Sequence, residues 1–139
     1  MNGVIVVRSL LVADAGLTAL VPGARIAAGS LPQGTMLPAI SLMSVSSVDR
    51  NIPAPGPKRR VTERVQVTVL ARTYPETKAI FAAIRKAAAD QMPQIAGLTD
   101  VTVHTDSAGP DFLDEETGIH MQTQDFRVSF NEARLASPS

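Results

Sequence analysis

The sequence predicts an α+β domain, and three observations predict it. Val61, Val65, Val67 and Val69 alternate with Thr62, Arg64, Gln66 and Thr68, the period-two pattern of a half-buried strand. Thr73-Tyr74-Pro75-Glu76 opens an alanine-rich stretch with the spacing of a capping box, and so starts a helix. Val4, Val7, Leu10 and Leu11 recur at helical spacing near the N-terminus. At 139 residues the chain fits a single domain over 1–139 and can bury a core without metal or disulfide staples.

The N-terminal pattern predicts a helix over about residues 3–13. Asp14 caps a second short turn with Leu17, Leu20 and Val21 on its apolar side, and Pro22-Gly23 stops it. Arg25–Ala28 is a short strand. Ser30–Pro38, with Pro32, Gly34 and Pro38, is a loop, and Pro38 opens the strand Ala39–Val48 because it cannot donate inside a ladder. Asn51–Pro57 reads NIPAPGP, and three prolines with a glycine forbid helix or central strand. It is therefore a long Pro-rich hairpin loop, extended over residues 50–60, with Lys58-Arg59-Arg60 as its basic exit. Beyond it the Val61–Val69 strand pairs antiparallel with Ala39–Val48, and Glu63 interrupts its apolar side.

In the helix after Thr73, Pro75 fits the first turn. Ile80, Ile84, Ala87 and Ala88 form the buried stripe, Lys78, Arg85 and Lys86 face out, and Pro93 and Gly97 end it. The alanines suit a helix lying close on a sheet. Val101 and Val103 mark another strand and Ile119–Phe130 the last. Ile119 and Met121 are apolar at odd positions but Phe126, Val128 and Phe130 at even ones. Since a one-residue slip turns every side chain to the other face, a bulge near Gln122–Asp125 is expected. The polar end, 131–139, is expected to be a loose tail.

Composition narrows the function classes. Hydrophobic residues make up 45% of the chain but aromatics only 4%, with no Trp, so the core is aliphatic. Thirteen basic and thirteen acidic residues give no net charge, unlike a dedicated nucleic-acid binder, and leave little repulsion against self-association. There is no Cys, which removes disulfides, thiolate metal sites and Cys nucleophiles. Gly3–Val21 is apolar but broken by Arg8, Asp14 and Gly16. It reads neither as a signal peptide nor as a membrane span, and a protein made in a cytoplasm and kept there until assembly is expected.

Few residues suggest chemistry. His104, Asp106, Asp111, Asp114 and His120 are the one cluster worth testing for a metal, but their spacing matches no zinc pattern and they read as strand and turn residues. Asp114-Glu115-Glu116-Thr117-Gly118 lacks the alternating oxygens of an EF-hand and reads as a hairpin turn with Gly118 at positive φ. There is no nucleophile motif and no Gly-rich phosphate loop, so no enzyme, cofactor or metal is expected. The basic set Lys58, Arg59, Arg60 and Arg64 could touch DNA phosphate or form a solvated hairpin base. It could also meet the acidic set Asp111, Asp114, Glu115 and Glu116 of a neighbouring subunit.

Three stretches together carry a resemblance. Leu10–Val21, LLVADAGLTALV, leads to Arg25-Ile26 and the Pro32–Ile40 segment. Val65–Ala88 runs VQVTVLARTYPETKAIFAAIRKAA. Gly109–Phe130, GPDFLDEETGIHMQTQDFRVSF, closes the chain on Asp125-Phe126-Arg127-Val128. In order and spacing these resemble the tail-completion, or tail-terminator, proteins of long-tailed bacteriophages and related particles. Ala39, where that family often carries a larger residue, and the Asn51–Pro57 loop depart from the pattern. The resemblance implies an antiparallel or mixed sheet with two main helices on one side. It implies a homo-oligomeric ring, a hexamer, in the virion at the head–tail junction. Such a ring binds the end of the tail tube protein, stops tube polymerisation and presents a surface to the head connector, while DNA passes through without sequence readout. No membrane is implied. The rivals are a head-side connector or stopper, a small ligand-binding α+β module, and a metal-dependent hydrolase using His104, Asp106 and His120.

Overall fold

The computed structural model describes residues 2–32, 34–50 and 56–134. It is an α+β fold: a mixed sheet of six strands with its two main helices on one face. The elements run α1 (Asn2–Ala13), α2 (Ala15–Thr18), β1 (Ile26–Ala28), β2 (Ala39–Arg50), β3 (Lys58–Ala71), α3 (Tyr74–Ala88), β4 (Leu98–Ala108), β5 (Phe112–Asp114) and β6 (Ile119–Ala133). The strand order is β1-β2-β3-β6-β4, and β5 pairs with β6. Only β1 and β2 run parallel; the other pairings are antiparallel.

Side-chain alternation explains why the helices share a face. The odd residues Val61, Val65, Val67, Val69 and Ala71 of β3 are buried. Their partners on β6 are even-numbered, Phe126 opposite Val65 and Phe130 opposite Val61. α1 adds Val4, Val6, Val7 and Leu11, and α3 adds Ile80, Ile84, Ala87 and Ala88, to one continuous apolar cluster with these strands. A core of branched aliphatic chains under two thin helices matches the aromatic-poor composition.

The caps form as the residue types dictate. Asp14 accepts from the Leu17 N–H at 2.9 Å, and Thr73 from the Glu76 N–H at 3.2 Å. The Glu76 carboxylate reaches back to the Arg72 N–H at 3.2 Å, one residue before the position of a standard capping box. Gly118 stands at φ +72 and donates to the Asp114 carbonyl at 2.7 Å, closing the β5–β6 turn.

Several expectations need correction. Leu20 is exposed, because the short α2 turns only Leu17 and Val21 inward. β2 runs to Arg50, and Lys58, Arg59 and Arg60 lie inside β3 rather than on a loop. They are held extended by Arg50 on one side and Asn131–Ala133 on the other. The expected Pro-rich loop falls at 51–55, outside the described residues. The polar 131–139 end begins as strand: Asn131, Glu132 and Ala133 close β6, and the Arg134 N–H donates to the Pro57 carbonyl. Residues 135–139 lie outside the described residues.

The expected bulge near Gln122–Asp125 is absent from the β3–β6 ladder, which keeps one register from His120 to Ala133. β6 changes no phase. Its even residues face the helices throughout, and two of them, Gln122 and Gln124, are polar yet buried. Lys78 donates to Gln122 at 2.8 Å and Arg85 to Gln124 at 2.7 Å, so neither cation simply faces water as expected. Glu63 does not break the buried side of β3 either. It is buried beneath the start of α1 and accepts from the Gly3 N–H at 3.1 Å, where helix N–H groups lack intrahelical partners.

Phe126 is wholly buried while Phe112 is 58% exposed. Phe126→Ala is expected to cost about 3–5 kcal/mol in urea unfolding, and Phe112→Ala within about 0.5 kcal/mol of zero.

Candidate functional site

The basic set does not form one patch. Lys58, Arg60 and Arg64 point to the helix-free face of β3, whereas Arg59 points with Val61 to the helix face. Arg59 lies 4.0 Å from Asp49 and 3.9 Å from Glu132. Arg60 donates to the Asp100 carbonyl at 2.7 Å and to Asn131. Arg64 is held by Asp125, whose carboxylate is buried, with Nε 2.7 Å and Nη2 2.5 Å from one oxygen, and stands 3.6 Å from Asp106. Among the described residues, Lys58 makes only a 3.4 Å contact to Thr99. Arg59, Arg60 and Arg64 thus have work within the protomer, and Lys58 is the freest of the four.

The acidic set also divides. Asp111 sits in the break between β4 and β5, not in the turn. Its carboxylate takes the Lys78 ammonium on one oxygen and the Tyr74 hydroxyl, at 2.9 Å, on the other. These donors, Lys78 first and then Tyr74, hold the Asp111 carboxyl below the usual carboxylate range. The same contact raises the Lys78 pKa. Asp114 closes the turn, its side chain accepting from the Glu116 N–H at 3.1 Å, while Glu115 and Glu116 point to solvent. The turn leads into Ile119, and Lys58 pairs with Ala133, so the free cation and the free acids lie at opposite ends of the β3–β6 ladder. At about 3.3 Å per residue that separation is roughly 40 Å.

The histidine cluster does not converge. His104 Nδ1 pairs with Asp90 at 2.9 Å on the helix-free face. Asp106 faces Arg64 and Arg127. His120 sits edge-on to Tyr74, ring centroids 6.3 Å apart. Among the described residues no three His, Asp or Glu side chains gather as a metal site, and no described helix is long and apolar enough to cross a membrane.

The structure brings forward an edge rather than a cluster. β1 pairs with β2 only from Ile40 to Leu42, yet β2 continues along β3 to Arg50. Met43–Arg50 is exposed throughout and includes Met43, Val45 and Val48. Local pattern marks this segment as a strand but not as an edge, because the shortness of β1 is set by tertiary pairing.

The family model described as Tail completion protein gp17 matches residues 6–130. A search of the curated proteins finds no match. Among solved structures, a chain from the "Virion of native gene transfer agent (GTA) particle" is similar at a TM-score of 0.71 and 21% sequence identity, covering 90% of this chain and 91% of that one. At that identity the likeness speaks for the fold.

Two outcomes follow from this geometry. A carboxylate whose folded pKa is depressed adds stability that is full above the unfolded pKa and is lost as pH falls through the folded one. Melting temperatures of the native chain and of Asp111→Asn should therefore differ at neutral pH and converge on acidification through and below the usual carboxylate range. Arg64→Ala strands the buried Asp125 carboxylate and should lower the urea midpoint clearly, whereas Lys58→Ala should leave it almost unchanged.

Proposed function

We infer that this chain, which belongs to the tail completion protein gp17 family, is a tail terminator. Membership makes it a phage-type tail structural protein of the virion. In our reading its copies form a ring, a hexamer, on the end of the tail tube, stop the tube growing and give the head connector a surface to join. The ring surrounds the DNA path without reading sequence and assembles in the host cytoplasm. It has no catalytic step. The observation that carries this reading is the family match over residues 6–130, supported by a fold shared with a chain of a gene transfer agent virion.

The chain's chemistry is compatible. One sheet with both helices on a single face supports one domain as the repeating unit. Zero net charge leaves identical copies free to associate. The ends of the protomer differ, Lys58 and Arg60 standing among Asp49, Asp100 and Glu132 at one, and Asp114, Glu115 and Glu116 at the other. We assign them to contacts with a neighbour or with the tube and connector. Arg59, Arg64 and Asp111 shape those ends from within.

The test is the mass in solution of the purified protein, alone and with its tail tubes, together with the length of tubes grown in its presence. A ring that binds one tube end and halts elongation is expected. A monomer that leaves tube growth unchanged would overturn the reading. Binding to the head connector but not to tubes would replace it with the head-side stopper.

A further inference from the structure

The sheet ends on two edges of different character. On one side β2 runs past β1 from Met43 to Arg50 and, among the described residues, has a strand neighbour only on the β3 side. In such an edge the outward backbone N–H and C=O groups form a template for another strand. Proteins ordinarily blunt such edges with lysine, proline, inward charge, bulges or short strands. Ser44–Arg50 carries two of these, the bulge between Ser44 and Ser46 and the inward Asp49, but Ser46-Ser47-Val48 between them has no lysine, proline or inward charge. The arm is made of residues that pair well in sheets, and its valines lie in the open.

The opposite edge is β4. At Val103 its outer side is already taken by Gln91, which bonds both the Val103 N–H and C=O, and among the described residues no other strand-type bridge meets that side, so the stretch from His104 to Ala108 is the part left for a partner. From β2 through β3 and β6 to β4 every step is antiparallel, so β4 runs antiparallel to β2. A protomer brought beside its neighbour by rotation about a ring axis, with no flip, therefore presents β4 antiparallel to the next β2. The carboxylates of the β4 side already have partners in the protomer, Asp90 with His104 and Asp106 with Arg64 and Arg127, and the arm carries both Asp49 and Arg50, so the edges offer each other backbone groups rather than opposite charge. Both edges expose apolar side chains, Val45 and Val48 on one and Met92 on the other.

We propose that Ser44–Arg50 of β2 pairs antiparallel with the β4 edge of a second copy of this chain, so that the sheet continues from subunit to subunit. The contact is heterologous, so each copy uses both edges and closure leaves neither open. Pairing of β2 with the same strand of a second copy would make a closed dimer and leave β4 bare. The proposal rests on the ring reading above and specifies its interface.

The absence of cysteine makes cross-linking clean. Ser46 and His104 lie in one row across the helix-free face, through Arg64 and Arg127. Cysteine is placed at Ser46 or Val48 in combination with His104 or Asp106, on the part of β4 beyond the Gln91 bridge, and the assembled protein is mildly oxidised. For at least one combination, a covalent ladder rising to the ring number is expected, while each single variant gives none. Rings that form by mass but cross-link in no combination, or dimers from Ser46→Cys alone, would overturn the interface and leave the ring intact. Protein that forms no ring with or without tubes would overturn the ring reading itself. Val48→Lys adds charge to a side chain already 65% exposed and should leave the melting temperature unchanged. It should raise the concentration needed for assembly by roughly tenfold or more, the equivalent of about 1.4 kcal/mol. Assembly at the native concentration would count against the proposal.

Discussion

The ladder between β3 and β6 runs without a register shift from Lys58 opposite Ala133 to Ala71 opposite His120, and the other layers take their positions from it. Two long antiparallel strands locked in one register assign every side chain of both to a face. The helix face receives Val65, Val67 and Val69 from one strand and Phe126, Val128 and Phe130 from the other. Ile26, Ile40 and Leu42 on one side and Val101 and Val103 on the other widen this strip, and the helices cover the whole. Irregularity is pushed outward, between Ser44 and Ser46 in β2, and between Thr99 and Thr102 and again between Thr105 and Ala108 in β4. The centre is rigid in register while the flanking strands absorb the twist, as bulges near sheet edges commonly do.

Fixing that register has a consequence for polar residues. Gln122, Gln124 and Glu63 fall on the helix face because their neighbours must, not because their chemistry belongs there. Buried polar groups need partners. The partners come from the helices: Lys78 and Arg85 of α3 for the glutamines, the first turn of α1 for Glu63. These contacts fix the position of the helices along the sheet as well as their distance from it. Gly3 makes the approach of α1 possible, since a Cβ there would lie 2.7 Å from the Glu63 carboxyl carbon.

What local chemistry decides, the sequence displayed. The Asp14 and Thr73 caps, the alternation in β3, the alanine face of α3 and the Gly118 turn all depend on residues a few positions apart. What tertiary pairing decides was hidden. The apparent phase change in the last strand arises because Gln122 and Gln124 occupy core positions, and only the cations of α3 reveal why they can. Lys58-Arg59-Arg60 looked like a loop because three charges rarely begin a strand, yet pairing on both sides holds them extended. β5 is three residues long and has no periodicity to detect. Of the candidate contact residues, charge alone could not separate Arg59, Arg64 and Asp111, which have partners within the protomer, from Lys58, Glu115 and Glu116. The open arm of β2 was invisible because an edge is defined by a strand that stops.

The helix-free face completes the physical picture. A bare sheet face is stable in water when its side chains satisfy one another. Here they do so in rows across the strands. Thr62 meets Ser129 at 3.0 Å, Arg60 meets Asn131 and the Asp100 carbonyl, and Arg64 with Arg127 brackets Asp106 and Asp125. Such a face needs no second layer, and its exposed apolar side chains, Met43, Val48 and Phe112, stand toward its borders. The strand edges are different, because a backbone cannot satisfy its outward N–H and C=O groups with its own side chains over a whole strand. Residual binding capacity in this fold is therefore concentrated at the rims of the sheet, with apolar residues such as Val45, Val48 and Phe112 exposed beside them. A one-sided sheet with a quiet face and active rims is suited to joining its own kind side by side. In the proposed ring, the helix layer and polar face would be left to meet different neighbours.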